Sequence, residues 1–456
     1  MNQNKKVLQF VLLATICLFA LSCFVYYNSI SNKQLQNISI INDVLKKETA
    51  VNKPLNPASK NIITTTQLTI TNDTGNTKKK LEHFNLPNRM TNFSIDTNSV
   101  VLNDFIKKIT GFKKNKKGKI RIAYLGDSMI EGDLVSQTLR RLLQKYFGGY
   151  GVGFVPITSA VAGFRTSVKH SFSGKWNENN FKTRVATSSP LFLSGKTFFA
   201  SGYNWMDAED KTYSNKALPL KKYLLCGYKP NNGQIAVNSI FNSIKPLQKF
   251  NAILLDSSIK ANIKLEVSDG LLPLYGISFE SQDGVIVDNF SFRGMGGFEF
   301  INIDIDFLSQ INATQPYDLI IMQYGVNVLN KPNNNSFNWY HKSMIAAINK
   351  LKKSFANAEF LLISAADKSF KYSNGIHTAI GMDSLIATQE RIAFDANIAF
   401  FNTYSNMGGY NSMVNWATGN PKLAAKDYTH LNANGADVLG NNIYNSIMYE
   451  FKKTEK

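Results

Sequence analysis

From about residue 100 onward the chain alternates short apolar runs with longer amphipathic stretches. Ile120-Arg-Ile-Ala-Tyr-Leu125 is β-rich and ends in Gly126-Asp127-Ser128. Asp133 to Phe147 then carries Leu134, Leu139, Leu142, Leu143 and Tyr146 at helical spacing and is closed by Gly148-Gly149. Strand, tight turn and helix in that order predict a βα unit. The theme returns as strands over Asp318–Gln323, Glu359–Ser364 and Ile398–Asn402. Between and after them, helices are predicted over Phe337–Phe355, Met382–Ala393 and Asn434–Phe451. Such alternation implies an α/β fold with a parallel sheet covered on both faces.

Between about Ala160 and Gln282 the rhythm changes. Short apolar runs such as Gln234-Ile-Ala-Val, Ala252-Ile-Leu-Leu and Ile263-Lys-Leu-Glu-Val267 are separated by Gly, Asn, Ser and Asp clusters, the pattern of a β-sandwich inserted into the α/β domain. Residues 28–98 differ again: rich in Asn, Thr, Lys and Ser and without sustained periodicity, they read as a tether. Ahead of them, Lys5 and Lys6 precede an apolar run from Val7 to Tyr27 that is long enough to cross a bilayer. The domain order is therefore a membrane segment (1–27), a tether (28–98), the first part of the α/β domain (99–159), a β-rich insertion (160–282) and the second part (283–456).

The apolar run continues through Phe24, Val25, Tyr26 and Tyr27, past the length of an ordinary cleavable signal, which favours an uncleaved signal anchor. Ala20-Leu21-Ser22-Cys23 offers the competing reading of a bacterial lipoprotein signal with the lipid on Cys23. Either way the basic start stays cytoplasmic and the bulk is exported, anchored in the inner membrane of a bacterial cell envelope. Only Cys226 lies outside the membrane segment, so no intrachain disulfide framework exists beyond it.

Charge changes the picture less than it first promises. The 456 residues include 51 Lys or Arg and 32 Asp or Glu, a formal net charge of +19, which invites a polyanion partner. Residues 1–119 hold 18 of the basic and 6 of the acidic residues, leaving 33 against 26 for the rest, so most of the excess lies in the arm and tether. With little aromatic interleaving and an export signal in front, nucleic acid is not the partner. At 44% hydrophobic and 12% aromatic residues the chain can build a large core.

Candidate chemistry sits where strands hand over to helices. Ser128, in Gly126-Asp-Ser-Met-Ile-Glu-Gly132, follows the first strand, where ligands of open α/β sheets bind and where a helix amino terminus would favour developing negative charge. The alternative is a helix cap. Near the other end, Asp427-Tyr-Thr-His430 precedes the last helix: a His supplies a base of near-neutral pKa, and a carboxylate on its other ring nitrogen fixes the tautomer. Gly294, with Gly296 and Gly297 competing, and Asn327, in Gln323-Tyr-Gly-Val-Asn327, suit oxyanion donors. Each taken separately is more often a turn residue.

In this order the Ser, Gly, Asn and Asp-x-x-His blocks resemble the SGNH (GDSL-type) hydrolase family. That resemblance implies a flavodoxin-like three-layer α/β/α sandwich. It implies Ser128 as nucleophile, His430 as general base, Asp427 as its orienting partner, and Gly294 N–H and the Asn327 amide, with Ser128 N–H, as the oxyanion hole. Val328 stands where the family usually has Asp. Gly148-Gly-Tyr-Gly-Val-Gly-Phe-Val-Pro156, the insertion, and Gly408-Gly-Tyr-Asn-Ser-Met-Val-Asn-Trp416 resemble the peptidoglycan O-acetylesterase branch, in which a carbohydrate-binding-like domain interrupts the catalytic one. The function implied is deacetylation of a cell-envelope polysaccharide, peptidoglycan first, with no metal and no organic cofactor. A lysophospholipase or thioesterase would use the same residues, and a non-catalytic glycan-binding protein could keep the fold. Trp176, Tyr203 and Trp205 could present flat faces to sugar rings or pack a core.

Overall fold

The computed structural model describes residues 79–183, 189–213 and 217–455. The apolar segment assigned above to the membrane and most of the tether lie outside these residues, and no helix among the described residues is long and apolar enough to cross a membrane.

The chain enters through α1 (Asn103–Asn115), β1 (Lys119–Gly126) and α2 (Ser136–Phe147). An antiparallel region follows, built from β2 (Gly153–Pro156), β3 (Val168–Phe172), β4 (Trp176–Asn180), β5 (Lys196–Ala200), β6 (Asn204–Asp210) and β7 (Leu220–Gly227). It continues through β8 (Gly233–Val237), β9 (Ile240–Ile244), β10 (Phe250–Ser258), β11 (Asn262–Val267) and β12 (Leu274–Glu280). The α/β rhythm resumes with β13 (Gly284–Ser291), α3 (Ile305–Thr314), β14 (Leu319–Gln323), α4 (Asn338–Ser354) and β15 (Glu359–Ile363). A hairpin of β16 (Ser369–Tyr372) and β17 (Gly375–Thr378) precedes α5 (Met382–Asp395) and β18 (Ala399–Phe401); α6 (Thr403–Met407), α7 (Ser412–Thr418) and α8 (Ala433–Lys453) close the chain.

The parallel sheet runs β13-β1-β14-β15-β18, each neighbouring pair parallel. In chain order that is 2-1-3-4-5, the flavodoxin-like arrangement, whose winding reverses between the first and third strands. A crevice therefore opens beyond the carboxyl ends of β1 and β14, which are in register with Gly126 opposite Gln323. Helices α1, α2 and α8 pack together, and α3, α4 and α5 form a second group, the outer layers of a three-layer α/β/α sandwich.

The antiparallel strands form two sheets, β10-β7-β12-β5-β4 with β2 also paired to β12, and β3-β6-β11-β8-β9. β12 is buried at all seven positions because its sheet is a layer between two cores. Tyr275 faces the α/β core, with Phe192 stacked on it at 4.9 Å, while Leu274 and Ile277 belong to the core between the two antiparallel sheets. At this seam Arg121 of β1 reaches Glu280 (2.7 and 3.0 Å) and Asp288 (3.2 Å), and Tyr317 Oη donates to Asp288 at 2.9 Å. The cluster is buried. Burial pushes the Glu280 carboxyl up, but Arg121 and Lys119 outweigh it and hold it down at about 2.

Three sequence expectations change. The sequence pattern extends the tether to residue 98, yet from Lys79 the chain lies on the domain: Met90 and Phe93 are buried and Thr91 exchanges backbone hydrogen bonds of 3.0 and 2.8 Å with Phe400. This short segment covers the exposed edge of β18, and Phe93 packs against Phe394 and Phe400. The pattern starts the insertion at 160, but β2 already pairs with β12. The helical spacing predicts the second helix from Asp133; it starts at Ser136, because Asp133 and Val135 take positive backbone φ angles (67° and 63°). Asp133 is turned inward to bind Arg140 (2.7 and 2.8 Å), Ser136 (2.7 Å) and Ser167 (2.5 Å).

Candidate active site

Ser128 leaves the end of β1 just after Gly126, where the chain passes close to its neighbours. A Cβ at Gly126 would lie 2.8 Å from Ile130 and 3.1 Å from the Gln323 carbonyl of β14. Ser128 Oγ then lies 2.8 Å from His430 Nε2. Because α2 begins eight residues later, the helix amino terminus expected to face Ser128 does not do so.

His430 arrives from the opposite end of the chain on the loop before α8. One Asp427 oxygen accepts the backbone N–H groups of Thr429 and His430, both at 3.0 Å, and the other accepts His430 Nδ1–H at 2.7 Å. A single carboxylate thus shapes the loop and orients the ring, leaving Nε2 free to accept the Ser128 proton. Burial raises the Asp427 carboxyl, but the His430 ring and these N–H groups outweigh it and hold it below its usual range. Ala425 N–H donates to the His430 carbonyl at 2.8 Å and ties the loop down.

Asn327 follows β14. Its Nδ2 donates to Asp127 Oδ2 at 2.8 Å and to the Met295 carbonyl at 3.0 Å. Among the three competing glycines, Gly296 and Gly297 turn their N–H groups onto Glu299 at 3.1 and 2.8 Å. Gly294 instead lines the cleft, with φ of +80°, and a Cβ there would meet Lys182 Nζ at 2.9 Å. The cleft holds about 720 Å³ and gathers Ser128, Gly294, Asn327 and His430; Val161 and Phe164 form part of its wall, and Arg293 pairs with Glu131 on its rim at 2.6 Å. All five residues singled out in the sequence therefore meet in one place.

Two further groups were not singled out. Asp127 is fully buried behind Ser128; burial pushes its carboxyl up to about 7, against the pull of the Met129 N–H, His430, Asn327 and Lys368. Lys368 lines the cleft and donates to the carbonyls of Val326 and Leu329 at 3.0 and 2.9 Å, on either side of Asn327. Burial lowers its pKa, partly offset by Asp127 and Asp427. Asp127 could have been noticed from its place beside Ser128. Lys368 carries no sequence signal, since its partners are backbone atoms of a loop about forty residues away.

No protein-family model matches the sequence, and no curated protein matches it. Among solved structures the chain is similar to a peptidoglycan O-acetylesterase at 21% identity, over 76% of this chain and 96% of that one, with a TM-score of 0.64. It also resembles a lipase/acylhydrolase from Enterococcus faecalis (16% identity, 36% of this chain and 75% of that one, TM-score 0.26). An acetyl xylan esterase is matched at 17% identity, over 36% of this chain and 81% of that one, with a TM-score of 0.26. The first likeness is one of fold across both sheet systems. The chain shares with that structure an α/β/α architecture with an additional antiparallel-sheet domain.

Proposed function

We propose that this protein is an exported, membrane-tethered serine esterase that removes O-acetyl groups from a cell-envelope polysaccharide, peptidoglycan being the substrate class. The observation that carries the reading is the continuous relay from Ser128 Oγ through His430 to Asp427, at 2.8 and 2.7 Å, set beside the switch point of the parallel sheet. The O-acetyl substrate is supported by the fold shared with a peptidoglycan O-acetylesterase. Export is supported by Lys5, Lys6 and the apolar run to Tyr27, with the anchor either that segment or a lipid on Cys23.

In this mechanism Ser128 Oγ attacks the acetyl carbonyl as His430 Nε2 takes its proton. The oxyanion is met by the N–H groups of Ser128 and Gly294 and by Asn327 Nδ2, which exchanges its bond to the Met295 carbonyl for one to the charged oxygen. Asp127 holds the Asn327 amide in place during that exchange. The imidazolium, stabilised by Asp427, protonates the leaving sugar oxygen. Water activated by the same ring then releases acetate and frees Ser128.

The test is hydrolysis of an aryl acetate by the full-length protein and by Ser128→Ala. A loss of about 10⁴- to 10⁶-fold in kcat is expected for removal of a triad nucleophile. Equal rates would remove Ser128 as the nucleophile. Acetate release from O-acetylated peptidoglycan compared with acetylated xylan then tests the substrate class.

A further inference from the structure

We propose that the cleft between the β16–β17 hairpin and the turn ahead of α7 is a second sugar site, which holds an uncharged pyranose ring of the same polymer at a distance from the acetyl group being removed. The inference rests on the polysaccharide substrate argued above. The cleft holds about 240 Å³ and is lined by Tyr372, Asn374, His377, Asp383, Tyr404 and Tyr410, among others. The His377 and Tyr410 rings lie 9° from parallel with centroids 6.4 Å apart, and Tyr410 is 64% exposed.

These two rings, Tyr410 exposed and His377 half-buried, are held by a buried polar network. Asp367 accepts Thr378 Oγ1 at 2.9 Å and the Met413 N–H at 2.8 Å; Thr378 Oγ1 accepts the Asn411 N–H at 2.7 Å, and Asn411 Oδ1 accepts the Thr378 N–H at 3.1 Å. Asn411 Nδ2 donates to His377 Nδ1 at 3.4 Å, and His377 Nε2 donates to the Asn374 carbonyl at 3.4 Å, so both ring nitrogens are engaged. The left-handed turn at Gly409 and Asn411 (φ 74° and 61°) presents Tyr410 between them. Burying Asp367 raises its carboxyl and costs free energy. A tyrosine that merely faces solvent requires no such support, whereas a ligand platform gains affinity from rigidity.

The lining chooses the ligand class. Flat aromatic faces suit the C–H face of a pyranose, and the Asp383 carboxylate and Asn374 side chain suit its hydroxyls. Among the described residues no Lys or Arg lines this cleft, in contrast to the catalytic one with Arg293 and Lys368, so an uncharged ring is favoured over an anion. One short stretch of chain touches both clefts. Lys368 immediately precedes β16, Ser369 N–H donates to the Tyr428 carbonyl of the His430 loop at 3.0 Å, and Tyr372 lies four residues on, roughly 13 Å along an extended chain. A polymer, but not a single acetylated sugar, can occupy both.

The experiment compares wild type, Tyr410→Ala and Tyr410→Phe in the full-length protein. The readouts are aryl acetate hydrolysis, acetate release from O-acetylated peptidoglycan, and calorimetric binding of tetra-N-acetylchitotetraose, a neutral probe without ester. Tyr410→Ala should leave kcat/KM for the aryl acetate within about twofold, raise KM for peptidoglycan about tenfold and weaken the oligosaccharide about tenfold; Tyr410→Phe should match wild type. Where Tyr410→Ala lowers the folded fraction, Asp383→Asn, also in the lining, takes its place, with the same pattern expected. Unchanged peptidoglycan KM and oligosaccharide affinity, no binding of the probe by wild type, or a parallel loss of aryl acetate activity would each overturn the site. Tyr410-dependent binding without acetate release from any glycan would instead retain the site and overturn the esterase reading.

Discussion

The two sheet systems bury their strands differently, and the difference explains where the chemistry is. β14 is buried at every position and β15 at four of five, whereas β6 alternates between buried and part-exposed residues along its length. Parallel strands with helices on both faces have no side turned to water, so their polar groups collect where the strands end and the chain must turn. Ser128 and Asn327 lie just beyond two such ends. In the antiparallel body Trp205, Asp207 and Glu209 face outward from β6 while Met206 and Ala208 face the core, so polar residues fall along the length of the strand and not at its end. β12 breaks the rule because both of its faces meet a core, and its one buried acid, Glu280, is joined to Arg121 and Lys119.

Substitutions can break this contrast. The largest effect is expected from Asp427→Asn: about 10⁴-fold in kcat for an aryl acetate, because the His430 ring loses the acceptor that fixes its tautomer. Its thermal midpoint should hardly move, since the Asp427 side chain is 51% exposed. An equal fall in stability would mean that the loop, not the tautomer, was lost. Arg121→Ala at the seam should behave in the opposite way. It leaves Asp288 buried without its cation and Glu280 with Lys119 alone, and should cost about 3–5 kcal/mol in urea unfolding, with kcat per folded molecule little changed. A large catalytic loss there would show that the antiparallel body sets the geometry of the cleft.

The smallest and sharpest test is the pH dependence of stability. Asp127 titrates near 7 when folded and near the ordinary ~3.9 when unfolded, so between those values the native state holds a proton that the unfolded chain has lost. Its contribution is therefore fully present below about pH 4, declines as pH rises, and levels off above about pH 7. Asp127→Asn should flatten that part of the profile, measured as urea midpoints at pH 5 and pH 8. An unchanged slope would assign it to another group.

Much of the α/β frame was legible in the chain. The strand before Ser128, the strand ahead of Asn327 and the final helix have strong local periodicity, and their observed ends differ from the expected ones by a few residues at most. The helix after Ser128 was misplaced by three residues because the inward turn of Asp133 is imposed by Arg140 and Ser167, the latter 34 residues away. Met90 and Phe93 were lost in a polar stretch because two apolar residues make no period; only the uncovered edge of β18 explains them. The hairpin that follows Lys368 is too short to stand out from its surroundings.

By itself the sequence determined the alternation of elements, the presence of a differently patterned insertion, and which side chains were candidates for a Ser-His-Asp relay. Those properties depend on residue type and on spacing within a few positions. The tertiary structure decided what depends on atoms far apart in the chain. It singled out Gly294 from its neighbours, because Glu299 occupies the other two N–H groups. It tied Asn327 to Asp127 and placed Lys368 behind the same loop. It also brought His430 to Ser128 across 302 residues, a contact whose 2.8 Å is set by the packing of a whole sheet and its helices and not by any local pattern.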